Sequence, residues 1–289
     1  MAKRPVLRLV KERKLAKLLQ PPRRDAVFEA SGVIARNGHA FVVLDNVRRV
    51  ARIALHLRAK SRDHGWAGGD RHGEGYEAIT YGNGSGRFYL MIEAQKHPDG
   101  TFKGAIDEFD ERWRFKGRRW VDFPFEKRNT GFEGLAAVKV RGREYLLALC
   151  EGNKCRGGRK QRQHGGGRIQ VLERHARVWR VVGRIKLPRH ARFKDFAGMA
   201  LRGNRLAVVS QESSRLWVGR LRASDWTIAG RGRVYDLPRS KKGKKVYCTV
   251  EGVSWLGART LIAVSDLRKK RHPKRCAKTD QSIHVFRIP

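Results

Sequence analysis

The chain has 289 residues, and 40% of them are apolar, enough for a packed core, which excludes disorder as the starting assumption. It carries 65 Lys and Arg against 27 Asp and Glu, a formal charge of +38. That excess points to anionic partners (an anionic small molecule, a polyanion such as nucleic acid, an acidic membrane surface), although a solvated Arg-rich surface has the same composition.

The first 27 residues are basic throughout. They hold no uninterrupted apolar run of the kind a secretion signal needs, and no stretch of the chain approaches transmembrane length, so a cytoplasmic monomer is expected. Within this segment VLRLV (6–10) is the best strand candidate, and KERKLAKLL reads alternatively as a short helix.

Five repeats follow, starting near residues 31, 77, 133, 197 and 251. Each opens on a small or acidic residue and Gly or Ala, then runs through an apolar strand, a turn and a second apolar strand. They are SGVIARNGHAFVVLD (31–45), EAITYGNGSGRFYLMIE (77–93), EGLAAVKVRGREYLLALCE (133–151), AGMALRGNRLAVVSQ (197–211) and EGVSWLGARTLIAVSD (251–266). Gly- and Asn-rich turns between β-rich runs are hairpin signatures, and no half shows a helical period. A third strand is predicted after each hairpin, at 50–55, 105–109, 168–173, 215–221 and 282–288. A fourth, Trp-bearing strand follows in the middle repeats, at 113–124, 178–188 and 226–238.

Four strands per repeat, with starts 46 to 64 residues apart, predict an all-β fold: a five-bladed β-propeller with antiparallel four-stranded blades. The last repeat stops at its third strand, so a strand from residues 1–27 is expected to close the ring, making residues 1–289 one domain. A β-sandwich fits the regular spacing less well.

The scarce acids fall in register. Glu77, Glu133 and Glu251 begin first strands, and Asp45, Glu93, Glu151 and Asp266 end second strands, with Gln211 and the adjacent Glu212 in the fourth repeat. In a propeller the first strand lines the channel and the second runs antiparallel to it, so these carboxylates should ring one mouth. Crowded carboxylates repel, which favours a hard cation such as Ca²⁺ with its about six to eight oxygen ligands. The structural alternative is that they pair with Arg or backbone N–H groups and tie blades together.

The same face should carry the long loops at 58–74, 94–103, 152–167, 239–246 and 267–281. Their candidate anion-binding residues are His72, Arg156, Arg159, Lys160, His164, Lys241, Lys242, Lys269, Lys270 and Arg271. Trp66 and Tyr76 are the aromatics expected on this face, where a base could stack. Cys150–Cys155 and Cys248–Cys276 have the placement for local disulfides, while a cytosolic chain would keep them as thiols. Ser210, Ser213, Ser214 and Ser265 lack a nucleophile-elbow context.

The stretches GFEGLAAV (131–138), FAGMAL (196–201) and VEGVSWLG (250–257), each followed by a strand ending in CEGN, SQES or VSD, resemble the SdiA-regulated and phytase-like (esterase-like) β-propeller group over residues 28–289. The resemblance implies a propeller fold and calcium held by channel acids. The first and fourth repeats depart from the motif, with Ser31 and Ala197 in place of Glu. Three functions are therefore expected: a binding propeller for an anionic ligand or partner, a metal-dependent phytase-like or lactonase-like hydrolase, or salt-sensitive, sequence-independent nucleic-acid binding.

Overall fold

Runs such as AFVVL, FYLMI, YLLAL, LAVV and LIAV are rich in side chains that fit a pleated surface buried on both faces. Each forms the second strand of a sheet unit in a computed structural model of the protein, which describes residues 4–21, 27–68, 75–128, 130–152, 155 and 167–289. The first strands are β2 (Ala30–Arg36), β6 (Ala78–Gly82), β10 (Phe132–Val140), β14 (Gly198–Arg202) and β18 (Val250–Trp255). Their hairpin partners are β3 (His39–Leu44), β7 (Arg87–Lys96), β11 (Arg143–Cys150), β15 (Arg205–Ser210) and β19 (Thr260–Ser265). Third strands follow as β4 (Val50–Ala54), β8 (Phe102–Asp110), β12 (Arg168–Arg174), β16 (Arg215–Arg222) and β20 (Ser282–Arg287). Outermost are β5 (Gly65–Ala67), β9 (Phe115–Phe125), β13 (Val178–Lys186), β17 (Thr227–Asp236) and, from the start of the chain, β1 (Arg8–Lys14).

Sheet orders β2-β3-β4-β5, β14-β15-β16-β17 and β18-β19-β20-β1 follow the sequence except at β1. β6–β9 and β10–β13 are joined into one eight-stranded sheet by a short parallel contact of β9 with β13, in which Trp120 lies opposite Val178. β1 pairs antiparallel with β20, placing Glu12 opposite His284. The fold is all-β and propeller-like, and helix is limited among the described residues to short 3-10 turns.

β1 lies further along the chain than the apolar run VLRLV suggests. Val6 bridges Asp236 instead, and residues 15–17 form a 3-10 turn where a helix was conceivable. Its side chains explain why: Leu9 and Val10 are exposed, while Leu7 and Leu15 are buried on either side of the strand. An outermost strand is held by ladder hydrogen bonds and polar contacts, so apolar alternation does not mark it. His284 Nδ1 is 2.9 Å from Glu12 Oε2 and its Nε2 is 2.7 Å from Ser265 Oγ, while Tyr247 donates to the same Glu12 oxygen at 3.0 Å.

Apolar side chains fill the spaces between units. One buried cluster joins Val43 to Ile79 and Leu90, another Met91 and Ile106 to Leu135 and Trp179, and a third Leu147 and Val171 to Leu206 and Trp217. The next joins Val209 and Leu216 to Val253 and Phe286, and the last joins Val264 and Ile283 back to Val33 and Val42. Val33, Ile79, Leu135, Met199 and Val253, one from each first strand, line a single cavity of about 260 Å³. The Gly after the opening residue of every repeat but the second, which has Ala78, serves this convergence: a Cβ on Gly198 would lie 2.1 Å from the Glu251 carbonyl oxygen, and one on Gly252 would lie 2.8 Å from Gly32 Cα.

Two loop expectations and the thiol expectation need correction. Segment 58–74 is interrupted by β5, so Arg58–His64 connects β4 to β5 at the end of the sheet away from the acids. Segment 94–103 shrinks to residues 97–101, because β7 and β8 stay paired past an irregularity between Ile92 and Gln95. Both cysteine pairs, Cys150–Cys155 and Cys248–Cys276, are disulfides, and the described residues hold no free cysteine. Disulfides persist in oxidising compartments, which weighs against the cytoplasmic expectation. No helix is long and apolar enough to cross a membrane.

Candidate functional site

Because each first strand pairs antiparallel with its hairpin partner, the start of the one meets the end of the other at one end of the sheet unit. There Asp45, Glu77, Glu93, Glu133, Glu151 and Glu251 all line a cavity of about 610 Å³. Asp266 lies just behind that wall, buried, accepting the Leu267 N–H at 2.5 Å and facing Lys269 Nζ at 3.7 Å. The sequence-derived ring thus converges.

The ring acids differ in their partners. Gln211 donates to Glu251 Oε1, a contact between neighbouring units that fits the structural alternative. Glu77, Glu93 and Glu133, by contrast, make no side-chain hydrogen bond or ion pair with a described residue. Acids elsewhere are neutralised: Asp107 takes two hydrogen bonds from Arg118, at 2.7 and 2.9 Å, and Glu108 is held by Arg87 and Arg174. In a chain so rich in cations, leaving three carboxylates unpaired in one cavity is a departure from its own pattern.

The electrostatic consequence is that protons are retained. Glu77, Glu133 and Glu251 are held well above the usual carboxylate range, first by burial and then by neighbouring acids. They are half-buried, and they face the cavity they line. Burial also lifts Glu93 to about 7, with the Glu151 charge adding to it. Asp45 rises to about 8, through burial and a hydrogen bond with Glu29, and Asp266 to about 6, chiefly through burial. Asp45 Oδ1 is buried without a partner among the described residues.

Cations stand at the rim. Lys269 and Arg271, both expected, line the cavity together with Lys127 and Lys194, which were not. Lys241, Lys242 and Lys270 are exposed and do not line it. His72, Arg156, Arg159, Lys160 and His164 lie outside the described residues. Thr130 and Asp195 were also missed, and the signal was available: Thr130 and Lys194 each stand three residues before a repeat start, in the segments that the same topology sends to this face.

The two departing repeats are instructive. Glu29 precedes Ser31 by two residues and Asp195 precedes Ala197 by two, so each keeps an acid one strand period upstream. Glu29 bonds Asp45, and Asp195 accepts from Ser210 Oγ at 2.5 Å and Glu212 N at 3.0 Å.

Two other expectations are resolved by packing. Trp66 stacks on Phe28 and donates to the Gln20 carbonyl, and Tyr76 is buried with its hydroxyl on Asp107, so neither offers a platform for a base. Ser265, His284 and Glu12 are ordered as a nucleophile, base and orienting acid would be, but Ser265 and His284 are 0% exposed. The relay is a structural clasp on β1.

No protein-family profile matches the chain, and no curated protein does. Among solved structures, glutaminyl cyclase of Myxococcus xanthus superposes with a TM-score of 0.59 at 10% identity, covering 99% of this chain and 98% of that one. The PQQ-bound aldose sugar dehydrogenase of Streptomyces coelicolor gives 0.51 at 11% identity, covering 96% and 98%. Both are β-propeller enzymes, and the likeness is one of fold. The chain has a propeller-like fold, and the resemblance to the SdiA-regulated and phytase-like group rests on its strand motifs alone.

Proposed function

We propose that this protein is a five-bladed β-propeller, closed by β1, that binds a small ligand in the acidic mouth of its channel. The carboxylates of Glu77, Glu93 and Glu133 accommodate a hard cation such as Ca²⁺, and Lys127, Lys194, Lys269 and Arg271 hold an anionic group beside it. The observation that carries this reading is the unpaired state of those three carboxylates amid an excess of Lys and Arg. Oxygen-only donors suit a hard ion. Among the described residues, no three acidic side chains converge on one point, so ion binding would need side chains to turn inward.

Calcium titration followed by melting temperature tests it. Wild-type protein should gain stability with saturation, and Glu77→Gln with Glu133→Gln should abolish the gain; no calcium-dependent shift in the wild type would sink the cation site.

A second reading, a metal-dependent ester or phosphoester hydrolase, is favoured by Glu93, whose value near 7 suits proton transfer at neutral pH. Turnover of an ester panel that disappears in Glu93→Gln would select it over binding alone.

A further inference from the structure

Next to the acidic mouth lies a second cavity of about 350 Å³, and Gln211, Glu212 and Arg271 line both. The rest of its wall is basic: Lys245, His272 and Arg275, beside the Cys248 end of a disulfide. Among the described residues Glu212 is the only carboxylate on that wall, and its closest approach to Arg271 is 3.7 Å.

The other cations contact neutral acceptors. Lys245 Nζ donates to the Glu212 carbonyl at 2.5 Å, and Arg275 Nε to the Lys245 carbonyl at 2.8 Å. Such bonds orient a cation without neutralising it. His272 Nδ1 is buried with no partner among the described residues. Lys245 is held below the usual ammonium range, first by burial and then by the charges of Lys194, Arg239 and Arg215, with Asp195 opposing them. Like charges pressed together in a partly dry cavity are costly unless an anion enters.

We propose that this cavity is a binding site, separate from the channel mouth, for a small oxyanion of the phosphate or sulfate type. Lys245, Arg271 and Arg275 supply charge-assisted hydrogen bonds, and His272 adds a ring nitrogen. Arginine suits the role because its planar donors match two oxygens of one oxyanion. The Cys248–Cys276 disulfide fixes the wall, since it ties the residue lining the cavity to the neighbour of Arg275.

The test is calorimetric titration of the full chain with inorganic phosphate and, separately, with sulfate, at constant ionic strength and with chloride as control. Saturable binding of either oxyanion is expected. Lys245→Gln and Arg275→Gln should each weaken it about tenfold or more, the loss of one charge-assisted bond. Lys245→Arg should keep it. Binding no better than chloride would overturn the proposal. So would binding abolished by Lys127→Gln yet intact in Lys245→Gln and Arg275→Gln, because the anion would then sit in the mouth. Loss of the calcium response with phosphate binding intact would refute the mouth reading alone.

Discussion

Glu133 is surrounded by the charges of Glu77, Glu151, Glu93 and Glu251, and both burial and those charges favour its neutral form. The effect on stability has a definite sign. An unfolded carboxyl titrates near about 4, whereas Glu93, Asp45 and Asp266 hold their protons to about 7, 8 and 6. The folded state therefore binds more protons than the unfolded one across this window. Stability present below the unfolded value is lost as pH rises from about 4 to 8. In buffer free of divalent ions, the melting temperature should fall over that range, and Glu133→Gln should flatten the fall. At pH 8 the variant should melt about 2–4 °C higher, corresponding to roughly 1 kcal/mol in a chain of this size. Superimposable pH profiles would show that ring repulsion does not limit stability. The ring residues themselves were readable from the sequence, because their positions recur at strand ends. Lys127 was not, because it stands on a segment with no pattern of its own.

At the scale of the strand, the repeated Gly has a steric explanation that the sequence motif hints at but does not contain. Inner strands approach so closely that a Cβ on Gly198 would collide with the backbone of Glu251, which cannot move aside as a flexible side chain would. Gly198→Ala should therefore destabilise by about 1–3 kcal/mol, the usual cost of overpacking. Gly203→Ala makes an unsuitable control because its φ is +56°, so Gly65→Ala, with nothing near its Cβ, is the comparison. Equal denaturant midpoints for the two variants would contradict the close-approach explanation. Elements with continuous apolar runs, such as β11 and β15, fell where the sequence placed them. β5 was hidden because three residues cannot show a period, and the ends of β7 and β8 because their pairing resumes after an irregularity.

For the whole molecule, the decisive contact joins the two ends of the chain. β1 covers the outer edge of β20, and the buried His284 relies on Glu12 across that seam. That a strand from the start of the chain would complete the last sheet was legible, because the last repeat stops one strand short; its register was not, because polar contacts fix it. His284 is pushed towards its neutral form by burial, so its Nδ1–H donates to Glu12 and its Nε2 accepts from Ser265. Glu12→Ala would leave that N–H without its acceptor, at a cost of about 1–3 kcal/mol. Removing residues 1–14 should do much more. It would also strip the β20 ladder bonds and the Leu7 contact with the core between β14–β17 and β18–β20. An uncovered strand edge invites pairing with other chains. Size-exclusion chromatography with thermal melting should show the truncated protein associating and losing its sharp transition, while Glu12→Ala elutes as the wild type does, with a lowered one. A truncated chain that eluted and melted like the wild type would mean that the seam does not hold the last sheet together.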